Sequence, residues 1–153
     1  MSESPSWQFE TSVEWNNEHL GTVRAENRPD IDISCPPVFC ESPGDRWTPE
    51  DFYIASVEMC FMLTLKLFCE RVDVAFESYK SRAVGTLEVV NKKICVTRID
   101  IYPEIRVADE HTLNKVQRLV KGSNRNCLVT ESIKTEVSLH PKYYVGKEVE
   151  AQT

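Results

Sequence analysis

Hydrophobic and polar residues alternate in the first third of the chain. Residues 7–15, WQFETSVEW, place large apolar side chains at alternating positions, a period of two that predicts a strand with one buried face. Residues 20–26 and 31–34 predict two further short strands, and Pro36-Pro37 ends the pattern. The first third is therefore predicted to be a three-stranded meander.

A strong helix-start signal follows at Thr48-Pro49-Glu50-Asp51. Thr48 suits the capping position, and Pro49 suits the first helical position because its missing N–H would have no helical partner. Asp51, three residues after the cap, completes a variant of the capping box. The sequence predicts that a helix begins here.

Residues 52–69 are apolar on nearly every side of this helix, which predicts that it is buried. A membrane span is the competing interpretation. Glu58 and Lys66 oppose it, because each costs about 2.5 to 3.5 kcal/mol at the bilayer centre. Two packed layers leave one face of such a helix open, so we expect a second copy of the chain to cover it in a two-fold homodimer.

The next segment predicts extended structure. Residues 74–90 fit a strand pair or one bent strand, with a turn at Asn91-Lys92. The apolar positions then change phase between 94–96 and 99–107, which predicts a β-bulge near Thr97-Arg98.

Two helices and a strand are predicted in the last third. Asp109 opens a helix that Gly122 ends, Asn126 caps a short helix that begins at Cys127, and residues 133–140 form a final strand. The order β-β-β-α-β-β-α-α-β indicates the α+β class.

Composition narrows the functional classes. The 153 residues carry 18 Lys and Arg against 24 Asp and Glu, a net charge of −6 that argues against nucleic acid or an anionic membrane as partner. Length predicts a single domain over residues 1–153, with a frayed tail from about 147. The first ten residues lack an export signal, so we expect a cytoplasmic protein in which disulfides are improbable.

Thiol chemistry is the remaining candidate, because the five glycines form no nucleotide-binding or hydrolase motif and the cysteine spacings match no metal site. No cofactor is expected. Cys127 is predicted at a helix start, where backbone N–H groups stabilise a thiolate. Cys60 lies inside the apolar helix and by itself looks like a core residue. Cys35 and Cys40 are close enough in sequence to pair under oxidation.

Three segments resemble the OsmC/Ohr family: Arg46-Trp-Thr-Pro-Glu-Asp-Phe52, Glu58-Met-Cys-Phe-Met-Leu-Thr64 and Asn126-Cys-Leu-Val-Thr130. Members carry a Pro-Glu pair ten residues before a first cysteine and a second cysteine that opens a small helix. Leu128 stands where the family usually has proline.

The resemblance implies an OsmC-like α+β fold, an antiparallel sheet with a long buried central helix, in an intertwined homodimer. It also implies a thiol-dependent peroxidase for organic hydroperoxides. Cys60 would be oxidised to a sulfenic acid, Cys127 would resolve it as a disulfide, and an external dithiol would restore both thiols. The pocket for the peroxide is expected to be apolar, near Phe61 and Met62.

Glu50 is the third residue that the resemblance implies, paired with an arginine that faces the thiolate. Ten helical residues rise about 15 Å, so Glu50 is out of reach of Cys60 on its own helix and would serve the site of the other subunit. No arginine occupies the usual position, and Val38 stands roughly where some members have theirs.

Arg24, Arg28 and Arg46 remain the candidates for that role. The missing arginine keeps a second function open, in which a non-catalytic member of the same fold binds a small apolar ligand or senses oxidation through its thiols.

Overall fold

The computed structural model describes residues 4–147, which divide into two compact units between Tyr53 and Ile54. We call them the N-terminal unit and the C-terminal unit. The single domain predicted for residues 1–153 stays a prediction. Most of the tail predicted to fray, from residue 148 on, lies outside the described residues.

The N-terminal unit contains an antiparallel sheet of β1 (Ser12–Asn17), β2 (Leu20–Arg24) and β3 (Ile31–Ser34), in that order. This confirms the predicted meander. The expected burial of the first strand is wrong, because β1 begins only at Ser12 and all six of its residues are exposed. The strand lies at the edge of the sheet. Within the described residues its Trp15 side chain is 73% exposed.

A disulfide joins Cys35 and Cys40 in the loop after β3, so the expectation of no disulfide is wrong. The loop turns back on itself through hydrogen bonds from the backbone N–H groups of Phe39 and Cys40 to the Pro36 carbonyl. This turn brings the two cysteine Cα atoms to 6.3 Å, within the range that a disulfide spans. The geometry of the loop therefore permits the Cys35–Cys40 disulfide, the pairing that their short separation in sequence makes possible.

Helix α1 (Pro49–Arg71) begins as predicted. The Thr48 backbone N–H and hydroxyl donate to Asp51 Oδ2 at 3.0 and 2.8 Å, and the Asp51 N–H donates to Thr48 Oγ1 at 3.2 Å. These reciprocal bonds satisfy backbone donors that the first turn leaves without helical partners.

Within one chain only one stripe of α1 is fully buried, and the expected cover of its other side by a second copy of the chain stays a prediction. The buried residues recur every fourth position: Val57, Phe61, Leu65 and Cys69. A second apolar stripe, Met59, Leu63 and Leu67, is 45–61% exposed. By length and composition α1 could cross a membrane, with 22% of its apolar window buried, but core helices pass the same test.

The C-terminal unit contains a long hairpin of β4 (Ser78–Val90) and β5 (Lys93–Val107). The predicted turn is confirmed, since Asn91 and Lys92 adopt positive φ angles of 51° and 65°. The predicted bulge is confirmed as well. The pairing register shifts between Thr86 and Leu87, and Thr97 on β5 is the residue left without a partner.

Two short strands, β6 (Glu136–Leu139) and β7 (Lys142–Val145), pair with β5 in parallel. This sheet is therefore mixed, and the expectation of an antiparallel sheet holds for the β4–β5 hairpin and for the sheet of the N-terminal unit. The helices that connect β5 to β6 provide the long crossover that a parallel pairing requires. The predicted final strand, 133–140, is shorter than expected, and β7 was not predicted.

Helix α2 (Glu110–Arg125) starts at the predicted cap, where Asp109 Oδ1 accepts a hydrogen bond from the Thr112 N–H at 2.7 Å. Gly122 does not end this helix, because its backbone does not adopt the positive φ that a glycine terminator uses. Asn126 is the C-cap of α2 instead of a cap for the next helix. Cys127 takes that place and is the N-cap of α3 (Leu128–Ser132).

The core of the C-terminal unit combines the buried stripe of α1 with alternate residues of β5. The buried β5 side chains include Ile99, Ile101, Ile105 and Val107. Two contacts hold α1 against β4: the Ser81 hydroxyl donates to Glu58 Oε1 at 2.5 Å, and Ile54 lies directly over Gly85. A Cβ at Gly85 would be 2.7 Å from Ile54 Cγ1, so glycine allows this close approach.

The capping box makes a testable contribution to stability. Thr48→Ala should lower the free energy of unfolding by about 1 kcal/mol, because two reciprocal hydrogen bonds of the first turn are lost. Urea denaturation followed by circular dichroism measures the change. Thr11→Ala, at an exposed position before β1, is the control and should leave stability unchanged. An equal effect of the two substitutions would contradict the capping role.

Candidate active site

Cys60 lies in the middle of α1, between the buried and the exposed stripes, and its side chain is half-buried. The neighbouring Phe61 is 1% exposed and belongs to the core. Phe61 therefore does not line an open peroxide pocket, contrary to the expectation from sequence. Met62 is half-buried.

Cys127 is fully buried at the start of α3. Its extended backbone, with φ −73° and ψ 114°, is typical of a capping residue, and its carbonyl accepts the first helical hydrogen bond from the Glu131 N–H at 3.0 Å. The side chain of a residue in this position turns back towards the first helical turn.

The Cys60 side chain is near enough to the Cys127 thiol to raise its pKa. The fold thus brings together two thiols that are far apart in the sequence, one from the middle of a long helix and one from the start of a short helix. A disulfide between two such thiols forms when their Cβ atoms come within about 4.5 Å of each other.

Burial raises the pKa of the Cys127 thiol above its ordinary value, and the contact with Cys60 raises it further. The hydroxyl and backbone N–H of Thr130 act in the opposite direction and lower it. The Cys127 side chain makes no capping hydrogen bond, so the Thr130 groups act on the thiol through their polarity, which favours the thiolate. The neutral thiol is the favoured form at neutral pH.

Thr130 is the residue that sequence reasoning missed. It is at the third helical position of α3, whose N–H points back to the cap residue, so a capping argument applied to Cys127 would have identified it. Its Oγ1 is buried and has no hydrogen-bond partner within residues 4–147. This hydroxyl is therefore available to donate to an anionic sulfur.

The other cysteines are in different surroundings. Cys69 is buried in the core, and burial raises the pKa of its thiol while Lys66 partly offsets the effect. Cys95 is exposed on β5. Cys35 and Cys40 are held in their disulfide. Cys60 and Cys127 are therefore the free thiols that the fold pairs.

Glu50 lies in the first turn of α1, and its Oε2 is buried without a hydrogen-bond partner in the described part of the chain. The three candidate arginines make other contacts. Arg24 pairs with Asp30 and Glu14, Arg46 pairs with Asp32, and Arg28 donates to the Glu26 carbonyl. Among residues 4–147 none of these guanidinium groups pairs with Glu50. Val38 is 80% exposed.

The chain is similar in sequence to a family of known proteins. The family model of OsmC-like proteins matches residues 42–142. The uncharacterised protein YmaD of Bacillus subtilis is 21% identical, over 86% of this chain and 89% of its own length.

Solved structures extend the comparison. An OsmC-like protein of unknown function from Vibrio cholerae has a TM-score of 0.80 at 21% identity, covering 90% of this chain and 100% of that chain. An organic hydroperoxide resistance protein from Elizabethkingia anophelis has a TM-score of 0.72 at 12% identity, covering 94% and 99%. These matches confirm the predicted OsmC-like α+β fold.

The surroundings of Cys127 predict its pH dependence. The carbon-13 resonance of the Cys127 Cβ should keep titrating beyond the ordinary thiol pKa, because the pKa of this thiol is raised. Thr130→Val should move the profile to still higher pH, since it removes a group that lowers the pKa. Nuclear magnetic resonance of the protein labelled with carbon-13 cysteine, which needs no reagent to reach the buried sulfur, measures both profiles.

Ser132→Ala is the matched control, because it removes a hydroxyl from the same short helix that bonds only the Leu128 carbonyl. Its profile should coincide with that of the unsubstituted protein. A Thr130→Val profile that also coincides would contradict the role given to Thr130.

Proposed function

Because this chain belongs to the family of OsmC-like proteins, we propose that it is a thiol-dependent peroxidase that reduces organic hydroperoxides. The observation that carries the proposal is the proximity of the Cys60 side chain to the buried Cys127 thiol. The likeness to an organic hydroperoxide resistance protein supports the choice of substrate class.

The first step takes place at Cys60. Its thiolate attacks one oxygen of the hydroperoxide, the O–O bond breaks, and the departing alkoxide takes a proton and leaves as an alcohol. Sulfur has gained one oxygen and is now a sulfenic acid. The peroxide is reduced and Cys60 is oxidised by two electrons.

Cys127 completes the cycle. Its sulfur attacks the sulfur of the sulfenic acid, an S–S bond forms, and the hydroxyl leaves as water with the proton that Cys127 gives up. An external dithiol then reduces the disulfide through a mixed disulfide, which restores both thiols and leaves the dithiol oxidised.

The proximity of the two thiols supports this second step, because it makes the reaction intramolecular. Fast resolution matters because a sulfenic acid that waits is open to further oxidation to a sulfinic acid. Thr130 supports the same step, since its hydroxyl stabilises the anionic form of the attacking Cys127 sulfur. This stabilisation partly offsets the raised pKa of Cys127, which by itself would slow the resolution step.

The proposed peroxidase is a two-fold dimer of the chain. The exposed stripe of α1 (Met59, Leu63, Leu67) and the exposed tip of the β4–β5 hairpin, which includes Val89 and Ile94, are apolar surfaces that a two-fold partner would cover. Glu50 of one subunit would then serve Cys60 of the other, paired with Arg24, Arg28 or Arg46.

A redox sensor with the same thiol pair is the second candidate function. The arginine contacts favour it, because within residues 4–147 the guanidinium groups of Arg24, Arg28 and Arg46 bind other groups instead of Glu50. A site without a nearby cation oxidises slowly, which suits a single oxidation event better than turnover. The number of hydroperoxide molecules reduced per protein molecule distinguishes the two functions.

Cysteine variants test the peroxidase. With cumene hydroperoxide and excess dithiol, Cys60→Ser should fall to the uncatalysed rate, because the attacking sulfur is gone. Cys127→Ser should still form a sulfenic acid at Cys60, which dimedone labels, but should lose disulfide formation and most of its turnover. Loss of peroxide and the mass of the labelled peptide are the measurements.

Cys95→Ser removes an exposed thiol outside the pair and should retain full activity. Wild-type activity in Cys60→Ser would refute the assignment. Oxidation of the unsubstituted protein that stops after one equivalent of peroxide would replace the peroxidase by the sensor.

The exposed stripe of α1 predicts the assembly. Light scattering should give twice the 17.6 kDa mass of one chain, and Leu63→Asp should give 17.6 kDa, because a carboxylate would be buried in the interface. If Glu50 acts from the partner, this variant also loses peroxidase activity. Val38→Asp, at an exposed loop position, is the control for the substitution. A 17.6 kDa mass for the unsubstituted protein would contradict the dimer.

A further inference from the structure

The face of the sheet opposite α1 carries a group of side chains that the thiol chemistry does not use. Alternate residues of β4 and β5 point to opposite faces. Ser81 and Gly85 contact α1, so Arg82 on β4 and its cross-strand partner Tyr102 on β5 lie on the other face. We call this the outer face.

The outer face contains a depression of about 290 Å³. Strands β4, β5 and β7 and the residue after β6 contribute its walls, and its lining residues are Lys80, Ser81, Arg82, Tyr102, Glu104, His140 and Lys142. Since a water molecule accounts for roughly 30 Å³ of liquid, the volume corresponds to about ten waters, which suits a small molecule rather than a macromolecule.

Stacked rings and one guanidinium build the centre of this depression. The Arg82 guanidinium carbon is 4.0 Å from the centroid of the Tyr102 ring, a close cation–π contact. On the same ring the His140 imidazole stacks at 4.8 Å between centroids, with the two planes 22° apart. Arg82 therefore has one face covered by an aromatic ring, and its N–H edge is left to bind.

The Asp100 carboxylate holds the stacked His140 ring in place. His140 Nε2 is 2.8 Å from Asp100 Oδ1, and Arg98 Nε donates to Asp100 Oδ2 at 2.8 Å. The contact with His140, followed by that with Arg98, holds the pKa of Asp100 below its ordinary value. Asp100 is thus an ionised anchor, and the rings do not need to be ordered by a ligand.

Positive charge exceeds negative charge in the depression. Lys80, Arg82 and Lys142 stand against a single lining carboxylate, Glu104, which pairs with Lys80 at 3.2 Å. Neither Arg82 nor Lys142 makes an ion pair with any residue in the range 4–147. Such a concentration of unpaired cations contrasts with the net charge of −6 on the whole chain.

We propose that this depression binds a small molecule that carries a phosphate group. Arginine presents a planar fork of N–H donors that matches two phosphate oxygens, and lysine ammonium groups supply point charges beside it. Two cations without carboxylate partners, Arg82 and Lys142, suit a dianion better than the single charge of a monocarboxylate. The site lies across the sheet from α1 and does not depend on the proposed peroxidase function.

Titration of the full chain with inorganic phosphate and with a small phosphate monoester tests the proposal. Calorimetry at low ionic strength should show saturable binding with one site per chain. Arg82→Gln should weaken it by at least about tenfold, because the bidentate donor is lost. Arg82→Lys should recover part of the affinity through its charge.

Lys121→Gln on α2 is the matched control, since it makes the same charge change on an exposed helix and should bind as the unsubstituted protein does. Nuclear magnetic resonance shifts on phosphate addition should centre on Tyr102 and His140. Cys60→Ser should bind phosphate normally, which separates this site from the peroxidase.

Three results would overturn the proposal: no saturable binding of either phosphate compound, equal losses in Arg82→Gln and Lys121→Gln, or shifts that centre elsewhere. Acetate that binds as tightly as phosphate would overturn the choice of a dianion.

Discussion

The contact between Cys60 and Cys127 depends on how α1 sits on the β4–β5 hairpin. One helical stripe is buried, Ser81 holds Glu58, and Gly85 lets Ile54 approach the sheet closely. These constraints fix the rotation of α1 about its axis, and the rotation decides which way Cys60 points. The thiol chemistry is therefore a consequence of packing in the C-terminal unit.

Much of the fold could be predicted because local physical rules determine it. The capping box at Thr48, the cap at Asp109 and the bulge at Thr97 are each set by a few neighbouring residues. The parallel pairing of β6 and β7 with β5 depends on the path of the chain between strands, which no local pattern reports. The Cys35–Cys40 disulfide was expected only under oxidation, because the predicted cytoplasmic location argued against disulfides.

The residues of the candidate site differ in how far the sequence alone predicts them. The position of Cys127 at a helix start marked it as special, whereas Cys60 reads as a core cysteine until the resemblance to a family is considered. Thr130 was overlooked because the cap was assigned to Asn126 instead of Cys127. The partner of Glu50 could not be predicted, because charge pairs between distant segments leave no periodic signal and Arg24 and Arg46 find nearer carboxylates.

Cys127 is both the N-cap of α3 and a buried acid. The stability of the folded chain therefore depends on pH in the alkaline range. Because burial raises its pKa in the folded chain, an unfolded chain loses the proton first as the solution becomes more basic. The stability that the neutral thiol contributes is complete below the ordinary thiol pKa and is lost as pH rises through the raised value. An alkaline medium thus lowers the free energy of unfolding through this one buried thiol.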